Sequence, residues 1–225
     1  MTHTISERIA IVAPSAEAAA VLRRDLIKRL AERGHRVLCL SPPGPGRHLR
    51  ALRELGAQHR AVEPPQQSLR ILDDWKAIAS LITHFNDWQP NIVLGFGPRT
   101  LMQAAIAARR AHVRRVVSLV NGLPSDGIES VGRRRFAYAV RSSDAVVFHN
   151  GDDARALASA GVLPAKLPIT VVPGGGVNLT HFRAAPLPPL EAGGVVFLML
   201  SRLERRRGVL EYKAAAEALR SQWPA

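Results

Sequence analysis

The residues Asn91-Ile92-Val93-Leu94-Gly95-Phe96, then Gly97-Pro98-Arg99, then Thr100-Leu101-Met102-Gln103-Ala104-Ala105-Ile106-Ala107-Ala108, and finally Arg115-Val116-Val117-Ser118-Leu119-Val120 decide the fold. The first and last runs place apolar or β-branched side chains at adjacent positions, so both faces of each strand are to be buried. Strands of that kind lie inside parallel sheets, where neighbours must be joined by a crossover. The alanine-rich segment over residues 100–111 supplies that crossover as a helix, with Pro98 suited to its first position.

The same alternation extends in both directions. Upstream, strands are expected at Ile9-Ala10-Ile11-Val12-Ala13, Arg36-Val37-Leu38-Cys39-Leu40 and residues 58–62. Between them fall a helix over residues 16–33, closed by Gly34, and a short helix over 47–55. The first of these is expected to present Val21, Leu22, Leu26, Ile27 and Leu30 on one face. A helix over 70–87 then leads into the opening strand. Downstream come a helix over 130–142, a strand at Ala145-Val146-Val147-Phe148, a helix over 152–160 and a strand at Ile169-Thr170-Val171-Val172. The expected fold class is therefore α/β, a doubly wound parallel sheet with helices on both faces.

Residues 1–182 form this first domain. Residues 183–194, rich in proline and glycine and without periodicity, read as a linker. A buried-looking strand at Val195-Val196-Phe197-Leu198-Met199-Leu200 and a following helix open a second domain over residues 195–225.

Composition narrows the function. The 225 residues are 47% hydrophobic and 22% charged, an ordinary globular balance. The lone Cys39 can form no internal disulfide, which suits a reducing cytoplasm. The apolar runs fall well short of the ~20 residues needed to cross a bilayer. A net charge of +13 rests on 27 arginines and 4 lysines. It admits two origins, a compositional bias or attachment to anionic lipid headgroups through groups such as Arg23-Arg24, Arg109-Arg110, Arg114-Arg115 and Arg133-Arg134-Arg135. With 5% aromatic residues and no recognition motif, nucleic acid is not expected as a partner.

In a doubly wound sheet ligands gather beyond the carboxyl ends of the strands. The first such loop, Ala13-Pro14-Ser15-Ala16, has no glycine, and Ser41-Pro42 follows the second strand where a dinucleotide site wants an acidic residue. A nicotinamide or flavin enzyme is disfavoured. The histidines show no metal-ligand spacing, and no nucleophile-elbow motif is present. The strand ends instead carry Gly97 and Arg99, Asn121-Gly122, His149-Asn150-Gly151-Asp152-Asp153 and Pro173-Gly174-Gly175-Gly176-Val177-Asn178. Each admits a local role beside a ligand role: Asn121-Gly122 as a turn, Asn150 as a helix cap, and Gly174, Gly175 and Gly176 as a hinge or as backbone that comes close to a ligand. Beyond the linker, Ser201-Arg202-Leu203-Glu204-Arg205-Arg206-Arg207-Gly208 brings guanidinium groups to a helix start, a setting that favours a phosphate.

Taken in order, Pro90-Asn91-Ile92-Val93, Phe96-Gly97-Pro98-Arg99, Asn121-Gly122-Leu123, the segment from Ser143 to Asp153, Pro173-Gly174-Gly175-Gly176-Val177-Asn178-Leu179 with Phe182, and Phe197-Leu198-Met199-Leu200-Ser201-Arg202-Leu203 followed by Arg207-Gly208-Val209-Leu210-Glu211-Tyr212 resemble family 4 glycosyltransferases, above all those that build capsular and exopolysaccharide units. The resemblance implies two facing Rossmann-like domains, the GT-B fold, with the acceptor on the first and a nucleotide-sugar donor on the second. It implies a retaining transferase that needs no metal or other cofactor, acting in the cytoplasm at the inner membrane face on a lipid-linked or glycan acceptor. Donor binding then falls to Arg202, Arg207, Gly174, Gly175 and Gly176, and the acceptor-side cleft to Gly97, Arg99, Asn121, Gly122 and Asn150. No catalytic residue is identified.

The family pattern differs at several positions. Arg207 stands where the family carries lysine, Ser201 where glycine is usual, Asn178 where aspartate is usual and Gly175 where serine is common. The family's donor-gripping glutamate pair has no counterpart up to residue 225, so the expectation is a chain truncated early in the donor domain. Two other readings follow. One is a non-catalytic acceptor-binding or partner subunit; the other is a sugar-nucleotide epimerase of the same fold.

Overall fold

The computed structural model describes residues 6–62, 70–123, 131–186 and 196–222. They divide into two compact units, Met1–Asn178 and Leu179–Ala225.

The first unit alternates as its apolar pattern demands. Strands β1 (Arg8–Val12), β2 (Arg36–Ser41), β3 (Ala57–Ala61), β4 (Ile92–Phe96), β5 (Arg115–Val120), β6 (Ala145–Phe148) and β7 (Ile169–Val171) form one sheet in the order β3-β2-β1-β4-β5-β6-β7. Every pairing is parallel. The α/β, doubly wound, Rossmann-like fold is the expected one. Strand order reverses between β1 and β4, where Ile9 pairs with Val37 on one side and Ile92 on the other. The crossovers on either side of that junction run in opposite directions and leave a crevice at its carboxyl end.

Helices α1 (Arg24–Glu32) and α2 (Gly46–Glu54) accompany β1 to β3. Helices α3 (Arg70–Trp88), α4 (Pro98–Arg110), α5 (Val131–Arg141) and α6 (Gly151–Ser159) accompany the rest. Two apolar cores result, one on each side of the sheet. Ile9, Ile11, Ile27, Cys39 and Phe96 belong to one; Leu38, Leu40, Phe85, Val93, Val116 and Phe148 belong to the other. Alternate residues of one strand serve opposite cores, which is why β1, β2 and β4 are almost wholly apolar.

Helix α4 lies close on β4 because of Gly95. A Cβ there would stand 2.9 Å from the Leu101 Cα and 3.0 Å from the Ala104 Cβ. At the end of the same strand Gly97, with φ 84°, turns the chain into α4, and Pro98 takes the first helical position.

The helix expected over residues 16–33 differs from its reading. It opens as a π-helical turn, Ala18–Leu22, and its dihedrals break at Arg23 (φ −120°, ψ 15°) before α1 begins. A π turn rotates the following face relative to a regular α-helix. The buried stripe is accordingly Ala16, Ala19, Ala20, Arg23 and Ile27, while Val21 and Leu22 are each 60% exposed. Alanines let the backbone approach the sheet; the larger side chains are turned outward.

In the second unit, helix α7 (Val209–Gln222) follows a single 3-10 turn, Arg205–Arg207, with Gly208 at φ 77° between them. The strand expected over residues 195–200 is not formed among the described residues. Residues 196–200 carry no ladder, and Val196, Leu198 and Leu200 are exposed. A strand is a pairing, and this unit's described residues offer no second strand to hold its backbone.

Candidate functional site

The carboxyl edge of the sheet is built from loops that follow β1, β4, β5, β6 and β7. Gly97, after β4, brings its α-carbon side against Pro14, after β1: a Cβ at Gly97 would meet the Pro14 ring at 3.6 Å. These two loops line the junction where strand order reverses. Asn121 and Gly122 follow β5, Asn121 exposed and Gly122 at φ 135°.

The loop after β7 turns back over that edge. The Gly174 amide donates to the His149 carbonyl beyond β6, at 3.1 Å. Gly174 and Gly176 hold φ of 65° and 74°, which favours glycine at both. Gly175 then reaches Arg23, whose Nη1 would lie 3.6 Å from a Cβ at that position. Asn178 completes the return: its Nδ2 donates to Asp25 Oδ1 on α1 at 3.3 Å. A chain leaving the sheet at its β7 edge thus comes back to the helix that follows β1.

Several expected site residues turn out to hold the scaffold. Arg99 Nε donates to Asp74 Oδ1 on α3 at 2.7 Å, and Gln103 Nε2 donates to the same oxygen at 2.7 Å. Asp74 is buried, so this three-way contact pins α3 to α4. Asn150 caps α6: its Oδ1 accepts from the Asp153 amide at 2.7 Å, and its Nδ2 donates to Asp153 Oδ2 at 2.9 Å. Asp144 accepts from the Val116 amide and pairs with Arg109, fixing β6 beside β5.

Arg23 is the residue that sequence reading misplaced. The sequence offers it beside Arg24 as one contact for anionic lipid, yet Arg23 is only 6% exposed while Arg24 is exposed. Its position in the stripe Ala19, Arg23, Ile27 was the available signal, because residues four apart on a helix share a face. The guanidinium lies over the Phe96 ring at the end of β4, 4.7 Å from the centroid. Its Nη1 donates to the Leu22 carbonyl at 3.2 Å, and its Nε, fully buried, has no partner. Burial lowers its pKa. Next to it, His149 is held below the usual histidine range, first by burial and then by the positive charge of Arg23.

Arginine pairs offered for membrane contact are likewise partly consumed. Arg109 donates to the Ser142 carbonyl at 2.6 Å as well as pairing with Asp144. Among the described residues no helix is long and apolar enough to cross a membrane. No group of three or more His, Cys, Asp or Glu side chains is gathered there as for a metal ion.

In the second unit Arg202 and Arg207 do come together, on one carboxylate. Arg202 Nη1 lies 3.7 Å from Glu204 Oε1 and Arg207 Nε lies 3.9 Å from Glu204 Oε2. Both arginines are largely exposed, so these are loose pairs. Tyr212 Oη donates to the Phe197 carbonyl at 2.8 Å and ties α7 to the segment before the arginines.

Residues 19–180 match the model of Glycosyltransferase Family 4. No curated protein matches the chain significantly. Among solved structures, Anabaena HepE in complex with UDP and glucose is similar at a TM-score of 0.61 and 18% identity, over 80% of this chain and 47% of that one. MurG of Acinetobacter baumannii is similar at 0.52 and 16% identity, over 81% and 50%. The UDP-GlcNAc 2-epimerase of Neisseria meningitidis, bound to UDP-GlcNAc, is similar at 0.55 and 18% identity, over 73% and 46%. At such identities the likeness is one of fold, and this chain spans about half the length of these structures.

Proposed function

This chain belongs to Glycosyltransferase Family 4, and from that premise we propose that it serves the transfer of a sugar from a nucleotide-sugar donor to a lipid-linked or glycan acceptor in polysaccharide biosynthesis. The family match over residues 19–180 carries the reading, since it takes in the carboxyl-edge loops that follow β4, β5, β6 and β7. Solved structures of this fold hold UDP with glucose and UDP-GlcNAc, which supports a donor of that chemical kind.

In such a transfer the bond from the sugar's anomeric carbon to the diphosphate breaks, and negative charge grows on the departing phosphate oxygens. Fixed cations stabilise that charge most when they are positioned beforehand. Arg202 and Arg207 are the residues proposed for this role, with Glu204 holding both guanidinium groups near one another until a diphosphate replaces it. Gly174, Gly175 and Gly176 provide backbone that a ligand can approach closely. Gly97, Asn121 and Gly122 form the acceptor-side edge, while Arg99 and Asn150 act on that edge through the helices they hold. The transfer is proposed to retain anomeric configuration and to use no metal or other cofactor. A net charge of +13 supports action in the cytoplasm at the anionic inner membrane face.

The test is incubation of the chain with a panel of nucleotide sugars, with and without a membrane-lipid acceptor extract. Acceptor-dependent release of nucleoside diphosphate together with a glycosylated lipid is the expected result; no turnover and no nucleotide binding would count against it. The epimerase likeness favours a second reading. Nucleoside diphosphate release or sugar epimerisation without acceptor would support that reading instead.

A further inference from the structure

We propose that Arg23 is an anion-binding residue of the carboxyl-edge crevice, receiving a phosphoryl group beneath the loop Gly174-Gly175-Gly176. Three observations meet at this side chain. It is a charged group withdrawn from water at 6% exposure, and among the described residues no carboxylate pairs with it. Its one hydrogen bond goes to the neighbouring Leu22 carbonyl, and its buried Nε has none. It stands over Phe96, the last residue of β4, at the strand-order reversal where this architecture places ligands.

Taking a guanidinium out of water without a counter-charge is unfavourable, and apolar replacement of buried charge commonly raises stability. Left without a counter-charge, such a group adds nothing to stability, and a bound anion would supply the partner it lacks. Ring contact with Phe96 compensates part of the lost hydration. The remaining donors belong to a planar fork that matches phosphate or carboxylate oxygens.

The surroundings favour an anion too. His149, just beyond β6, has its pKa lowered first by burial and then by the Arg23 charge. Asp25 on the same helix is engaged by Asn178. Gly175 has no side chain to cover the guanidinium from above, and φ at Gly174 and Gly176 turns the loop around it. This placement differs from the arginines of the second unit, and it brings a cation to the sheet on which the acceptor is proposed to bind.

The choice of a phosphoryl ligand rests on the family reading; that Arg23 binds an anion does not. Two sources share this chemistry, the diphosphate of a nucleotide sugar and the phosphate of an anionic lipid acceptor. The test is calorimetric titration of the full chain and of Arg23→Met with pyrophosphate, UDP and geranyl diphosphate, with thermal unfolding of both. The expected result is at least tenfold weaker pyrophosphate binding in R23M with an unchanged or higher melting temperature. With pyrophosphate binding weakened, a parallel loss for UDP but not geranyl diphosphate assigns the donor, a parallel loss for geranyl diphosphate but not UDP assigns the acceptor, and both outcomes support the site.

Equal affinities for all three probes in wild type and a folded R23M overturn the proposal. Should R23M not fold, Gly175→Val serves in its place: it adds bulk above Nη1 in an exposed loop and is expected to weaken pyrophosphate binding at least fivefold. Unchanged binding in G175V then overturns the proposal. Pyrophosphate binding lost in R23M by a chain that transfers no sugar would leave this site standing while the transferase reading falls. Sugar transfer with Arg23-independent binding would do the reverse.

Discussion

The Arg23 guanidinium lies 4.7 Å above the centre of the Phe96 ring, so a cation from the helix after β1 is seated on the last residue of β4. These two strands are neighbours in the sheet although a long stretch of chain separates them. The contact therefore marks the crevice at the reversal of strand order, and His149 feels its charge.

That coupling sets a pH-dependent outcome. Burial and the Arg23 charge both disfavour the imidazolium, so His149 is expected to titrate below the usual value of about 6.5. In Arg23→Met the charge is removed while burial remains, and the midpoint is expected to rise. Histidine-resolved NMR titration of the two proteins checks this; a midpoint that stays or falls contradicts the placement of Arg23.

Asp74 should matter to stability more than its single charge suggests. It is buried and accepts from both Arg99 and Gln103. Hydrogen bonds to charged groups contribute about 1.5–3 kcal/mol, and loss of this one strands a donor in the α3–α4 contact. Asp74→Ala is expected to lower unfolding free energy by about 2 kcal/mol in urea, with Arg99→Ala costing less because its side chain is partly in solvent.

Gly95 is expected to resist even its smallest replacement. The methyl group of Gly95→Ala would meet the Leu101 backbone at 2.9 Å, and the helix must shift off the strand to admit it. Overpacking of this sort costs about 1–3 kcal/mol. Gly46→Ala, where a Cβ meets nothing within 4 Å, is the control, and denaturant midpoints of the two variants should separate clearly.

Cys39 is predicted to be inert in the native protein. It is completely enclosed in the apolar core beside Ile11, and burial pushes its thiol pKa up to about 12. A raised pKa keeps the group as thiol throughout the neutral range, and the thiolate is the reactive form. Dithionitrobenzoate at pH 8 should label it only in denaturant; rapid labelling of folded protein would show that the β1–β2 core opens.

How far the sequence is legible depends on the range of the interaction concerned. The central strands could be read because β1, β2, β4 and β5 carry apolar residues on both faces, a pattern set by neighbours along the chain, whereas β3 (Ala57–Ala61) is largely polar and β7 is exposed. Their boundaries move by a residue or two in the structure: β4 begins at Ile92 rather than Asn91, whose side chain accepts from the Arg8 amide. Val21, Leu22 and Leu26 were misread for a definite reason. A regular 3.6-residue period was extended through a π-helical turn, and the small alanines that actually face the sheet score weakly as apolar. Among the described residues, 196–200 form no strand where one was expected, because apolar composition does not provide a pairing partner.

Site residues divide along the same line. That glycines, asparagines and arginines collect after the strands is visible in the chain, and the ordered motifs they belong to resemble the family whose model matches residues 19–180. That Arg99 reaches Asp74 and that Arg23 is enclosed follow from contacts between elements, whereas the Asn150 cap is local to α6 and legible in the chain. The hydrogen bond from Asn178 to Asp25 spans 153 positions. Sequence by itself determined the alternating elements and hence the doubly wound sheet, since hydrophobic periodicity is a local property of the chain. Only the tertiary structure decided which charges are spent on the scaffold and that Arg23, among the described residues, lies buried at the crevice without an ion pair, because a charge acquires its role from partners that folding brings within a few ångströms.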